Sequence, residues 1–127
     1  MKGVQLMKMM QDLKLKNLTP DIDMTDRVLT TSEINRPALQ LAGYLEHFAN
    51  ERAQIIGYVE YTYLQKMSEE ERHFTYERFI SSKIPCVIFS TRTTPTEDML
   101  NLANQYGVPT FITSRTTSSF MAEIIRW

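Results

Sequence analysis

Two hydroxyl-rich turns, Thr91-Arg92-Thr93-Thr94 and Ser114-Arg115-Thr116-Thr117-Ser118, each carry one arginine and each run into a helical pattern. The free N–H groups at a helix start favour an anion, and a guanidinium adds paired donors. Asn35-Arg36 and Glu60 stand after two further strand-like stretches. If the four stretches are strands of one open sheet, these residues share the crevice outside the strand carboxyl ends, where α/β proteins bind ligands. The candidate ligand set is Asn35, Arg36, Glu60, Arg92, Thr93, Arg115, Thr116 and Thr117. Its chemistry suits a phosphate, a carboxylate or a nucleotide diphosphate. A plainer reading stands beside it, because Ser and Thr are ordinary N-caps and strand-end arginines commonly lie in water.

Stronger catalytic signatures are missing. The four glycines, at positions 3, 43, 57 and 107, cannot build a GxGxxG loop or a GxxxxGK loop ending in Ser or Thr. His47 and His73 are far apart, with no HExxH or CxxC spacing, so no metal site is expected. Cys86 opens an apolar run, where a thiol acts as a small hydrophobe. No catalytic residue is assigned to this chain.

The elements that must position the candidates follow from periodicity. Residues 1–14 read as a helix with Leu6, Met10 and Leu13 on one stripe, and 17–26 as a loop. Residues 27–31 read as a strand, 37–48 as a helix with Pro37 at its first position, and 54–59 as a buried strand. Gly43 inside that helix and Gly57 inside that strand each signal close approach of another group or a bulge. A short helix over 60–67 precedes the capping box Ser68-Glu69-Glu70-Glu71, which opens a helix to Ser81. Residues 85–90 are the clearest strand. A helix capped at Thr94, with Pro95 first and Glu97 third, then runs to Tyr106 and Gly107. A strand over 110–113 and a helix over 120–127 complete the chain. Strict alternation of helix and strand predicts an α/β fold: a mostly parallel open sheet of about four to five strands with flanking helices.

Composition bounds the function classes. At 127 residues and 43% apolar content the chain suits one domain spanning 1–127. Fourteen basic against fifteen acidic residues give no electrostatic footprint for nucleic acid. No apolar run approaches a membrane span, no secretory leader is apparent, and one cysteine suits a reducing cytoplasm. The last helical pattern has no stop signal at Trp127, so a fragment of a longer protein is expected.

The run Asn35-Arg36-Pro37-Ala38-Leu39-Gln40-Leu41-Ala42-Gly43-Tyr44 resembles the N-terminal domain of the bacterial HPr kinase/phosphorylase family, whose pattern is close to N/S-R-P-G-L-x-L-A-G-Y/F. The resemblance continues through His47-Phe48, Glu51-Arg52, Gln54-Ile55-Ile56-Gly57 and Glu60. It resumes at Pro85-Cys86-Val87-Ile88, Pro95, Ala103, Gly107-Val108-Pro109 and Thr116-Thr117-Ser118. Ala38 departs from the pattern's glycine. The resemblance implies a fold similar to the N-terminal domains of Mur ligases. It also implies a cytoplasmic enzyme of carbon catabolite regulation that uses ATP (or pyrophosphate) and magnesium or another divalent metal. That enzyme phosphorylates a serine of the phosphocarrier HPr and reverses the reaction by phosphorolysis. The catalytic P-loop of the family lies in a C-terminal domain, which also dominates its hexameric assembly.

Three readings follow: a non-catalytic regulatory or assembly domain of such a kinase, a stand-alone module binding a phosphate-bearing ligand at the strand ends, and a purely structural interaction module.

Overall fold

A computed structural model of the chain describes residues 3–31 and 33–127. Its main sheet has five strands in the order β2–β7–β6–β5–β4. These are β2 (Lys16–Asn17), β4 (Ile34–Asn35), β5 (Ala53–Ile56), β6 (Val87–Phe89) and β7 (Thr110–Ile112). The last four run parallel, while β2 caps the β7 edge antiparallel. A separate antiparallel ribbon joins β1 (Val4–Gln5) to β3 (Val28–Leu29). The helices are α1 (Leu6–Asp12), α2 (Ala38–Leu41), α3 (Tyr58–Gln65), α4 (Glu69–Ile80), α5 (Glu97–Tyr106) and α6 (Thr117–Arg126). The mostly parallel α/β architecture expected from the alternation is present.

Successive strand residues point to opposite faces, and the apolar runs supply both. Ile55, Ile88 and Phe111 pack with Leu6, Met9, Leu13, Phe120 and Ile124 from α1, α6 and their flanks. Ile56, Val87 and Phe89 pack with Leu41, Leu64, Phe79, Met99 and Leu102 on the other face. Burying one such aliphatic or aromatic side chain stabilises by about 1.5–3 kcal/mol, so each strand is fixed twice, once per layer. Register pairs Asn35 with Gln54, Ile56 with Phe89, and Phe89 with Ile112. The carboxyl ends of four parallel strands therefore finish side by side.

Several local expectations are corrected. Residues 28–29 do form a strand, but in the ribbon with β1 and not in the main sheet. The first parallel strand is Ile34–Asn35, a two-residue, half-buried edge too short to show alternation. The expected helix over 37–48 shrinks to Ala38–Leu41, with Pro37 just before it. Gly43 ends it, at φ +105 in the region glycine tolerates best, and the apolar residues Tyr44 and Leu45 lie exposed in the turn. Ala38, where the resembling pattern has glycine, is an ordinary helical residue.

Strand β5 stops at Ile56, and Tyr58-Val59, read as strand, form the first turn of α3. Gly57 is thus a helix cap rather than a strand bulge. The N-terminal helix is shorter than expected because Val4–Gln5 pair with β3, and Asn17 belongs to β2 rather than to a loop. The cap of α5 is Thr96, whose Oγ1 accepts from the Met99 amide at 3.2 Å, not Thr94. The last helix starts at Thr117, three residues before the expected Phe120. By contrast, Ser68 Oγ accepts from the Glu71 amide and Gly107 takes the left-handed conformation after α5, both as expected. Among the described residues no helix is long and apolar enough to cross a membrane.

Candidate functional site

The strand carboxyl ends deliver Arg36 after β4, Gly57 after β5, Ser90 after β6 and Thr113 after β7. At their centre lies the Glu60 carboxylate, buried although charged. Glu60 stands at the third position of α3, a spacing from which an acidic side chain reaches back to the cap amide. Its Oε1 accepts from the Gly57 amide at 2.6 Å and from Arg36 Nη2 at 2.7 Å. Arg36 Nη2 also lies 3.0 Å from Oε2. Arg36 arrives from the neighbouring strand, so the pair ties the edge strand β4 to the start of α3. Arg36 Nη1 reaches the sulfur of Met121 on α6 at 3.9 Å, a weak contact at most.

Thr117 closes the cluster from α6. Its hydroxyl donates to Ser90 Oγ at 2.7 Å. Gly57 is the floor between these groups, because a Cβ there would fall on the Arg36 guanidinium and 2.8 Å from Thr117 Oγ1. Bare backbone is required for close packing, not for an unusual φ, since Gly57 sits at φ −97. Of the eight sequence candidates, Arg36, Glu60 and Thr117 are brought together.

The other five take separate places. Asn35 Nδ2 donates to Gln54 Oε1 at 2.7 Å and to Gln40 Oε1 at 3.3 Å, fixing β4 to β5 and α2. Thr93 is buried and donates to the Ser90 carbonyl at 2.6 Å, a turn-stabilising role. Thr116 caps α6, its Oγ1 accepting from the Ser119 amide at 3.2 Å. Arg92 lies on the surface at φ +67, its guanidinium carbon 4.3 Å from the centroid of the exposed Tyr58 ring. Arg115 is exposed and directs Nη1 towards Ser119 Oγ at 3.4 Å. The Thr91 amide donates to the Arg115 carbonyl at 2.9 Å, which sets the two hydroxyl-rich turns side by side.

Sequence reasoning missed Ser90, Tyr58 and Met121, and it placed Gly57 in the wrong element. Ser90 was legible as the polar end of the apolar run Val87-Ile88-Phe89. The Gly57-to-Glu60 spacing was legible as half a capping box. Nothing local announces Met121, which meets Arg36 across 85 positions.

Chemically, the arrangement holds its own anion. Glu60 already occupies the Gly57 backbone donor and the Nη2 of the Arg36 guanidinium that a phosphate or carboxylate would use. Among the described residues no group of three His, Cys, Asp or Glu is placed to hold a metal ion. Cys86 is fully buried, and burial pushes its thiol up to about 12, so it is no nucleophile.

The fold is that of a small α/β domain with a counterpart among solved structures. The chain superposes, with a TM-score of 0.66 and 16% identity, on the CBS and DRTGG domains of the regulatory region of Clostridium perfringens pyrophosphatase, solved with the activator diadenosine tetraphosphate. The likeness covers 95% of this chain and 46% of that one. The family is fixed by sequence: residues 4–127 match the profile described as HPr Serine kinase N terminus, and the chain belongs to that family. It is 44% identical over 124 residues to the HPr kinase/phosphorylase of Lachnoclostridium phytofermentans, a match covering 98% of this chain and 40% of the relative. The HPr kinase/phosphorylase of Caldicellulosiruptor bescii is 38% identical over 117 residues, covering 92% and 38%. That of Alkaliphilus metalliredigens is 35% identical over 127 residues, covering 100% and 41%. The chain thus matches the N-terminal portion, well under half the length, of these curated relatives.

Proposed function

We propose that this chain is the non-catalytic N-terminal regulatory and assembly domain of a cytoplasmic HPr(Ser) kinase/phosphorylase. The whole protein would phosphorylate a serine of HPr with ATP and a divalent metal such as magnesium, reverse this by phosphorolysis, and assemble as a homo-oligomer, a hexamer. The observation that carries the reading is membership of the N-terminal family along nearly the whole chain. ATP and metal are assigned to a C-terminal kinase domain, because the glycines of this chain cannot form a phosphate loop. The strand-end cluster supports a structural role for the rim, since Glu60 engages Arg36 Nη2 within the fold. The test is phosphoserine formation on HPr by this 127-residue chain and by a longer product of the same gene. The longer product transfers phosphate and the chain alone does not; transfer by the chain alone would overturn the assignment.

One observation favours a second reading, a regulatory module for a nucleotide or other phosphate-bearing ligand. The two hydroxyl-rich turns are adjacent and both arginines are exposed, Arg115 just before α6 and Arg92 over Tyr58 at the start of α3. A ligand held there raises Tm as its concentration rises, for nucleotides or sugar phosphates tested on the chain. A flat response across millimolar ligand removes this reading and leaves the first untouched.

A further inference from the structure

A groove between α4 and the α2–α3 pair is walled by helices on both sides. Leu41, Ala42, Tyr63, Met67 and Phe74 form its apolar part, in a volume of about 500 Å³. A smaller hollow of about 170 Å³, between α2 and α3, adjoins it and shares Ala42 and Tyr63. Val59 lines that hollow. Phe74 is 64% and Val59 68% exposed, so the apolar surface is continuous from α4 across α3. Connected apolar surface of this kind marks an interaction face rather than scattered exposure. Its two edges are helices and not an open strand, which suits an incoming helix laid in the groove better than an added strand.

The charges around the groove select the occupant. Glu70 and Glu71 stand on its wall, and Glu70 also lines, with Glu69 and Glu97, the adjoining cleft between the starts of α4 and α5. Acidic first turns suit helix starts, but two such starts side by side pool their charge on one lip. None of these four glutamates forms a salt bridge among the described residues. The nearby cations are turned to their own fold. Arg72 donates to the carbonyls of Leu64 and Met67, each at 2.9 Å, and Arg78 Nη2 to that of Leu41 at 3.2 Å. The His73 ring lies 2.9 Å from both Asp98 oxygens. A free cation would not need the apolar groove, and a purely apolar segment would not need the acids. Together they complement a helix whose apolar stripe is flanked by lysine or arginine. We infer that this face docks a basic amphipathic helix of a partner protein, its apolar stripe in the groove and hollow and its cations against Glu70 and Glu71. The inference does not depend on the kinase assignment.

Fluorescence anisotropy of a labelled synthetic helix against the 127-residue chain tests it, with amide NMR shifts locating the contact. The probe carries leucine at helical spacing along one face and lysine elsewhere. It binds, and the amides of Val59, Tyr63, Met67 and Phe74 shift. The same leucine pattern with glutamate for lysine, and the lysine probe's residues in scrambled order, each bind at least about tenfold more weakly. Val59→Asp, and Glu70→Lys combined with Glu71→Lys, each weaken the lysine helix about tenfold or more. All three positions are exposed, so these variants keep the fold. No binding up to about 1 mM chain overturns the proposal. So does equal binding of the scrambled peptide, which would reduce the face to bulk charge, or of the glutamate helix, which would remove the role of the acids. Amide shifts confined to other faces, or self-association that closes the groove in sedimentation, overturn it as well.

Discussion

Glu60 Oε1 accepts from the Gly57 amide and from Arg36 Nη2 at nearly equal distances, 2.6 and 2.7 Å. One carboxylate oxygen therefore joins a helix start to the neighbouring edge strand. Only 4% of the Glu60 side chain reaches water, against 34% of Arg36. Removing the carboxylate charge strands a guanidinium whose Nε is already buried without a hydrogen-bond partner. Glu60→Gln is expected to destabilise by about 2–3 kcal/mol, less than a fully buried pair would lose because Arg36 is partly hydrated. Urea unfolding of Glu60→Gln, Arg36→Met and the pair reports it. The double variant loses less than the two single losses added, by more than about 0.5 kcal/mol.

Gly57→Ala tests the close approach. Its backbone at φ −97 accepts alanine, so any loss arises from the new methyl meeting Arg36 and Thr117. A destabilisation of about 1–3 kcal/mol is expected, typical of overpacking. Placing Gly57→Ala on an Arg36→Ala background relieves most of it, because the crowded guanidinium is gone. An unchanged loss in that background would show that the glycine acts otherwise.

Asp12 and Trp127 couple α1 to the end of α6: the indole Nε1 donates to Asp12 Oδ2 at 2.9 Å. This bond, then that from Lys8, holds the Asp12 carboxyl below its ordinary 3.8. Its contribution is complete above that ordinary value and is lost as pH falls through the lower folded one. Emission of Trp127, the single tryptophan, shifts over this acid range, and Asp12→Asn removes the shift.

Cys86 reports on the core. Its ordinary thiol value is 9.0, and burial raises it to about 12 in the folded chain. Between these values unfolding releases a proton, so stability falls as pH rises, by up to about 1.4 kcal/mol per pH unit. Cys86→Ala flattens that alkaline slope. Below pH 9 a thiol reagent labels the native chain only as fast as it opens.

The two-layered core and the parallel order were legible because the strands Ala53–Ile56, Val87–Phe89 and Thr110–Ile112 are apolar and bounded by proline, glycine or hydroxyl residues. The edge was not. Ile34–Asn35 earns its place through pairing with β5 and through Asn35 bonding to Gln54, neither of which leaves a local period. The helix expected to follow it failed for the converse reason: Leu41, Leu45 and Phe48 keep a helical spacing, but Gly43 at φ +105 breaks the backbone between them. In the candidate site, Arg36, Glu60 and Thr117 were found by position at strand ends. Their mutual pairing was not, because the ion pair joins residues 24 apart and Ser90 meets Thr117 across 27.

The central claim is that residues 1–127 regulate and assemble a kinase without taking part in its chemistry. The most direct measurement compares a longer product of this gene with the same product lacking residues 1–127, scoring phosphoserine on HPr and particle mass together. The account predicts that the shortened enzyme still transfers phosphate, with altered response to its effectors or altered assembly. Complete loss of transfer by a folded, assembled shortened enzyme would contradict it and place a catalytic group within these residues.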